Sequence, residues 1–123
     1  MLNCPTGDLF KLTSGALPGQ FKVEGIKMMA AGGVDGFSCA LYLISAAYVI
    51  VGRVEFGACA FGMLVYPGVV VIRATGYTIS ASGAMHIFGN GGTFTNLGVT
   101  HTITLTGTPA FSVFAYLTNG SSL

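Results

Sequence analysis

From Ala74 to Leu123 the chain contains no Asp, Glu, Lys or Arg, so His86 and His101 are the only side chains there that can become cationic. The same stretch alternates. In Thr100-His-Thr-Ile-Thr-Leu-Thr-Gly107 the threonines fall on one side, and His101, Ile103 and Leu105 on the other. A period of two is the mark of a strand with one buried face. Tyr77-Thr-Ile-Ser-Ala-Ser82 repeats the pattern, and Phe111-Ser-Val-Phe-Ala-Tyr-Leu117 carries bulky groups on both faces. Gly83, Gly89-Asn-Gly-Gly92, Asn96-Leu-Gly98 and Gly107-Thr-Pro109 separate these runs with residues that suit tight turns. A sheet surface normally displays Lys and Glu, which also stop its edges from pairing with other chains. A neutral Thr/Ser/Asn surface implies a partner or a binding face.

The rest of the chain sharpens that inference. Apolar residues make up 52% of the 123 positions and charged residues 7%, against about 25% charged in ordinary soluble domains. A single domain of this length has a core, but the apolar surplus must face another subunit or lipid. The net charge is +1, with Lys11, Lys22, Lys27, Arg53 and Arg73 scattered among Asp8, Glu24, Asp35 and Glu55. Nucleic-acid binding needs a basic face, so no nucleic-acid partner is expected.

Residues 1–19 contain Pro5-Thr-Gly7, Thr13-Ser-Gly15 and Leu17-Pro-Gly19. They read as an extended N-terminal arm whose Leu9, Phe10 and Leu12 lie on a neighbouring subunit or shell. The folded domain is expected over 20–123. Phe21-Lys-Val-Glu-Gly-Ile-Lys27 alternates as a first core strand, and Gly32-Gly33 and Asp35-Gly36 signal a turn. Two long apolar runs follow, Phe37 to Val51 and Phe56 to Ile72. Each falls short of the ~20 residues of a spanning helix, and Gly57, Gly62, Pro67 and Gly68 spoil a helix interior. Strands near 37–46, 48–56, 58–65 and 69–75 fit better, because strands buried on both faces read as continuous apolar runs. No membrane association is expected, and a small membrane protein stays only as the third and weakest of the functional alternatives. The sum is about eight strands with turn signals every 8–12 residues: an all-β, single-domain antiparallel β-sandwich or jelly roll.

Motifs for chemistry are sparse. The acids are too dispersed for a carboxylate pair, and no glycine-rich loop leads into Lys-Ser or Lys-Thr. Gly89-Asn-Gly-Gly92 reads as a hairpin or bulge. His86 and His101 could meet across strands as a two-histidine metal site, but structural zinc wants four ligands, so they read as hydrogen-bonded strand histidines. Cys39 or Cys59 beside a histidine would lack an orienting acid nearby in sequence. Both cysteines sit in apolar runs and read as buried thiols. With Cys4 they make no disulfide framework, and no secretory signal opens the chain, which suggests assembly in a reducing cytoplasm. The Thr100–Thr106 run could be a hydroxyl array of the ice-binding sort, but one such strand is an ordinary polar face. No enzymatic activity, cofactor or metal is expected.

Ile103-Thr-Leu-Thr-Gly-Thr-Pro-Ala-Phe-Ser112 and Gly91-Gly-Thr-Phe-Thr-Asn96 resemble stretches of tailed-bacteriophage structural proteins, both capsid decoration (cement) proteins and fibre or appendage modules. The resemblance covers about residues 77–117 and is one of texture. It implies a homotrimeric β protein on a virion surface, assembled in the host cytoplasm and docked on a major capsid protein or another virion protein. The alternative is the receptor- or glycan-binding tip of a fibre or spike, with Tyr77, Phe88 and Phe94 as possible loop-tip aromatics. Phe111, Phe114 and Tyr116 are the expected oligomer contacts, since aromatics are enriched in interface cores.

Overall fold

The computed structural model describes residues 1–4, 7–12, 20–30, 38–44 and 47–123, and for Ala47 only the backbone. The described residues are all β, with fourteen strands and no helix. The strands are β1 (Leu2–Asn3), β2 (Phe10–Leu12), β3 (Gln20–Glu24), β4 (Lys27–Met29), β5 (Cys39–Leu43), β6 (Ala47–Gly52) and β7 (Glu55–Phe56). They continue with β8 (Phe61–Val65), β9 (Val69–Arg73), β10 (Tyr77–Ile79), β11 (Gly83–Asn90), β12 (Thr93–Thr95), β13 (Ile103–Leu105) and β14 (Phe111–Thr118). They build three sheets: β1-β4-β7-β10-β13 (sheet A), β14-β11-β8-β5-β2 (sheet B) and β12-β9-β6-β3 (sheet C). Successive strands in sequence go to A, B and C in turn, so the chain winds as a β-solenoid.

This corrects the expected antiparallel sandwich or jelly roll. Every strand pairing among the described residues is parallel. Turn chemistry at Pro67-Gly68 and Gly89–Gly92 is consistent with a chain that reverses and with one that merely rounds a corner. Here it rounds corners. Tyr66 C=O accepts from Val69 N–H at 3.3 Å across Pro67-Gly68, and this turn leads from β8 in sheet B to β9 in sheet C. Gly68 has φ +83°, the left-handed value that the third position of such a turn requires.

The core is a set of columns running through the coils. Leu2, Met28, Phe56, Ile79 and Leu105 align in sheet A. Phe10, Leu41, Met63, Ile87 and Ala115 align in sheet B, as do Leu12, Leu43, Val65, Gly89 and Leu117. Phe21, Val49, Val71 and Phe94 align in sheet C. The middle members of these columns are buried in one cluster. Each coil therefore buries its apolar side chains only by stacking on its neighbours, as in other repeat architectures.

Sheet B departs from strict alternation. Ala40 and Leu41 both belong to the interior cluster, and His86 and Ile87 are both buried, while Tyr42, Leu64 and Phe88 belong to a second cluster on the outer face. Two consecutive inward residues per strand put this sheet's bulky groups on both sides. That is why Phe37–Val51 and Phe56–Ile72 read as continuous apolar runs.

The N-terminal stretch expected as an arm is, over its described residues, the first coil. β2 pairs with β5, and Leu9, Phe10 and Leu12 pack against this chain's own core. Residues 5–6 and 13–19, and the expected turn at Gly32–Gly36, lie outside the described residues.

Candidate functional site

Three features stand out: a buried histidine, an outward apolar row on sheet B and the open end of the last coil. The histidine sits in a closed space. His86 is 1% exposed, and its Nε2 lies 2.8 Å from the Tyr77 hydroxyl. The rings of Phe56, Tyr77, Phe111 and Phe114 surround it, with centroids 4.9 to 5.9 Å away. Gly62 on the preceding coil makes room. A Cβ there would lie 2.5 Å from His86 Nδ1 and 2.8 Å from its carbonyl oxygen, so the imidazole occupies space that any other residue would need. Burial, with a smaller push from the Arg73 charge, drives the His86 pKa down to about 4. Burial likewise pushes the Tyr77 phenol up to about 12. Both groups are therefore neutral near pH 7, and their role is packing and one internal hydrogen bond.

The row on sheet B is more unusual. Lys11, Tyr42, Leu64, Phe88 and Tyr116 stand in register, one per coil, on the outer face. The Phe88 and Tyr116 rings stack at 5.6 Å, and the Lys11 ammonium lies 4.9 Å over Tyr42. Phe61 and Met85 flank the row. Beside its first members lies a cavity of about 350 Å³, lined among others by Asp8, Lys11, Tyr42, Tyr66 and Phe88. Lys11 is the only charged member of this row, and it stands at the first coil. An outward face of this kind is normally guarded by Lys or Glu.

The outer face of sheet A is polar by contrast. Lys27, Glu55, Thr78 and Thr104 align there. The Lys27 ammonium, 2.5 Å away, and the Ser80 hydroxyl hold the Glu55 carboxyl below the usual carboxylate range. Lys22 and Arg53 do the same for Glu24. These ion pairs are solvent-accessible, and such pairs contribute roughly 0–1 kcal/mol.

The third feature is the end of the solenoid. β13 and β14 are the last strands of sheets A and B, and among the described residues no strand pairs with their far edges. On sheet C, Ser122 bridges Thr93 in parallel and begins a fifth row, with Leu123 following. Leu105, Phe114, Leu117 and Leu123 at this end are 55, 40, 36 and 60% exposed. Leu105 and Leu117 continue columns whose interior members are buried. Phe114 follows the inward row of Ala40 and His86.

Phe111, Phe114 and Tyr116, the expected oligomer contacts, all lie on β14, but they face different ways. Tyr116 belongs to the outward row, Phe114 to the open end, and Phe111 packs half-buried against the core. Among the suggested loop-tip aromatics, Tyr77 and Phe94 are buried and Phe88 lies in the outward row. His86 and His101 are not brought together, since Tyr77 is the His86 partner. Among the described residues no group of three or more His, Cys, Asp or Glu could hold a metal ion, and no helix is long and apolar enough to cross a membrane. Cys4, Cys39 and Cys59 form no disulfide, and burial pushes the Cys59 thiol up to about 11, away from the reactive thiolate. Sequence reading missed the outward row because its members lie 22 to 31 residues apart, from Tyr42 to Leu64 at one extreme and from Lys11 to Tyr42 at the other. No protein-family model, curated protein or solved structure matches this chain.

Proposed function

We propose that this chain is a non-enzymatic structural protein of a virion surface, a capsid decoration protein that assembles as a homotrimer and docks on the major capsid protein. The observation that carries the reading is the outward row of sheet B. It runs along the solenoid axis from Tyr42 to Tyr116, so copies lying side by side around an axis would bury it along its length. Tyr116, at one end of the row, is 49% exposed, and exposed apolar patches mark association sites. The virion setting and the threefold symmetry come from the resemblance of residues 77–117 to phage structural proteins.

The test begins with mass in solution. Sedimentation at micromolar concentration should give an oligomer, and Phe88→Glu should dissociate it, because an unpaired carboxylate in an apolar seam costs several kcal/mol. A wild type that stays monomeric overturns the reading. An antibody to the chain should label intact virions, and their failure to bind it would remove the proposed location.

The second reading, a receptor- or glycan-binding tip, is favoured by the cavity beside the row. Aromatic walls joined to a carboxylate and an ammonium suit a sugar ring, with an apolar face to stack and hydroxyls to bond. Saturable binding of a saccharide from a glycan array, lost in Tyr42→Ala, would favour this reading over decoration.

A further inference from the structure

We propose that the cavity beside the outward row of sheet B binds an organic cation, a quaternary ammonium group held by aromatic rings and the Asp8 carboxylate. The inference rests on the premise of the second reading, that this cavity takes a ligand, and names the charge class of that ligand.

The argument starts from what the walls are made of. Four rings, those of Tyr42, Phe61, Tyr66 and Phe88, line the cavity of about 350 Å³. They stand as two angled pairs. The Tyr42 and Tyr66 centroids lie 6.1 Å apart with the rings at 54°, and those of Phe61 and Phe88 lie 6.2 Å apart with the rings at 83°. Rings at such angles do not offer one flat platform. They suit a compact, rounded group, and a ring face attracts positive charge.

Asp8 supplies the countercharge, and the backbone fixes its place. Its Oδ1 accepts from Cys39 N–H at 3.0 Å, while Leu9 N–H donates to the Cys39 carbonyl at 2.9 Å. The Asp8 side chain is only 16% exposed, and its Oδ2 lies 3.9 Å from the Lys11 ammonium, beyond hydrogen-bonding distance. A carboxylate so far removed from water is stabilised by a cation that comes closer.

Lys11 shows that the site accepts such a charge. Its ammonium lies 4.9 Å from the Tyr42 ring centroid as well as beside Asp8. Half of the Lys11 side chain is exposed, and exposed ion pairs contribute little, so a ligand can displace it. A lysine ammonium is also compact and strongly hydrated, whereas the cavity has the volume of a small-molecule site. A quaternary ammonium fills more of that volume, with its methyl groups against the rings and its charge toward Asp8. Among the described residues no charged side chain other than Asp8 and Lys11 lines the cavity.

Choline is the probe. Neohexanol, in which carbon replaces the charged nitrogen of choline, is the control. A titration followed by the proton signals of the tyrosine rings should saturate with choline and not with neohexanol. Asp8→Asn keeps an acceptor for Cys39 N–H and removes the charge, so choline should bind roughly tenfold more weakly. Lys11→Met keeps the stem and removes the competing ammonium, so choline should bind more tightly than to the wild type. Circular dichroism checks that both variants fold. No saturation with choline overturns the proposal, and so does equal binding of neohexanol. An affinity that Asp8→Asn leaves unchanged, or that Lys11→Met fails to raise, also overturns it. Phosphatidylcholine vesicles then separate the sources: they compete with free choline where the cavity takes the group on a lipid, and leave choline binding unchanged where it takes only the free cation. The outcome is distinct from that of the second reading. Saccharide binding lost in Tyr42→Ala, in a protein that ignores choline, removes the cation and leaves the glycan. Choline binding without any saccharide does the reverse.

Discussion

His86 shows how far a single residue can be read and where the reading stops. The sequence reads it as a hydrogen-bonded strand histidine, and a hydrogen-bonded histidine on β11 is what stands there. Its partner was not legible. Tyr77 lies on a neighbouring sheet, and only the winding of the chain brings its hydroxyl to 2.8 Å from Nε2. The consequence for pH has a definite sign. With a folded pKa of about 4 and an ordinary value of 6.5, His86 takes up a proton in the unfolded chain before it does so in the folded one. Stability is therefore complete above about pH 6.5, falls as the pH drops through the window between the two values, and falls no further from this group below about pH 4. The full effect is on the order of 3 kcal/mol. Urea denaturation of wild type and His86→Gln at pH 7 and pH 4.5 should show the wild type losing more stability than the variant on acidification. Equal losses would mean that His86 is not the group responsible.

At the scale of elements, strand positions were readable and strand partners were not. The expected strands near 58–65 and 69–75 correspond to β8 and β9, and in β13 Ile103 packs against the core while Leu105 stands in register with the buried Ile79 but is 55% exposed. Thr100, His101 and Thr102, expected in the same strand, instead belong to the longer connection between β12 and β13. Local alternation and turn residues determine where a strand begins and which way its side chains point. They do not determine whether the next strand returns beside it or passes to another sheet. The coil repeat that would have settled this varies from 22 to 31 residues and repeats no motif. The corner at Pro67-Gly68 makes the local logic testable. Gly68 is exposed and left-handed, so a side chain there meets backbone strain. Gly68→Ala should lower stability by about 1–2 kcal/mol, and Gly68→Asn by less, since Asn tolerates this region. Thermal melts of the two variants check the order; equal costs would show that φ at this corner is not what limits it.

For the whole molecule, the solenoid makes stability a matter of position along the axis. A coil in the middle has two neighbours, and the last coil has one. Met63 lies between Leu41 and Ile87 and is fully buried, so Met63→Ala opens a cavity that the columns on both sides cannot collapse to fill. The cost should be about 2–5 kcal/mol, and it should be the same at every protein concentration because no second copy is involved. Leu105 occupies an equivalent inward position, but more than half of it is open to solvent in a single chain. Leu105→Ala should therefore cost well under what Met63→Ala costs in dilute solution, where an exposed methylene contributes little to folding. Urea denaturation of wild type, Met63→Ala and Leu105→Ala checks the order, and equal costs at the two positions would show that burial within the column is not what sets them.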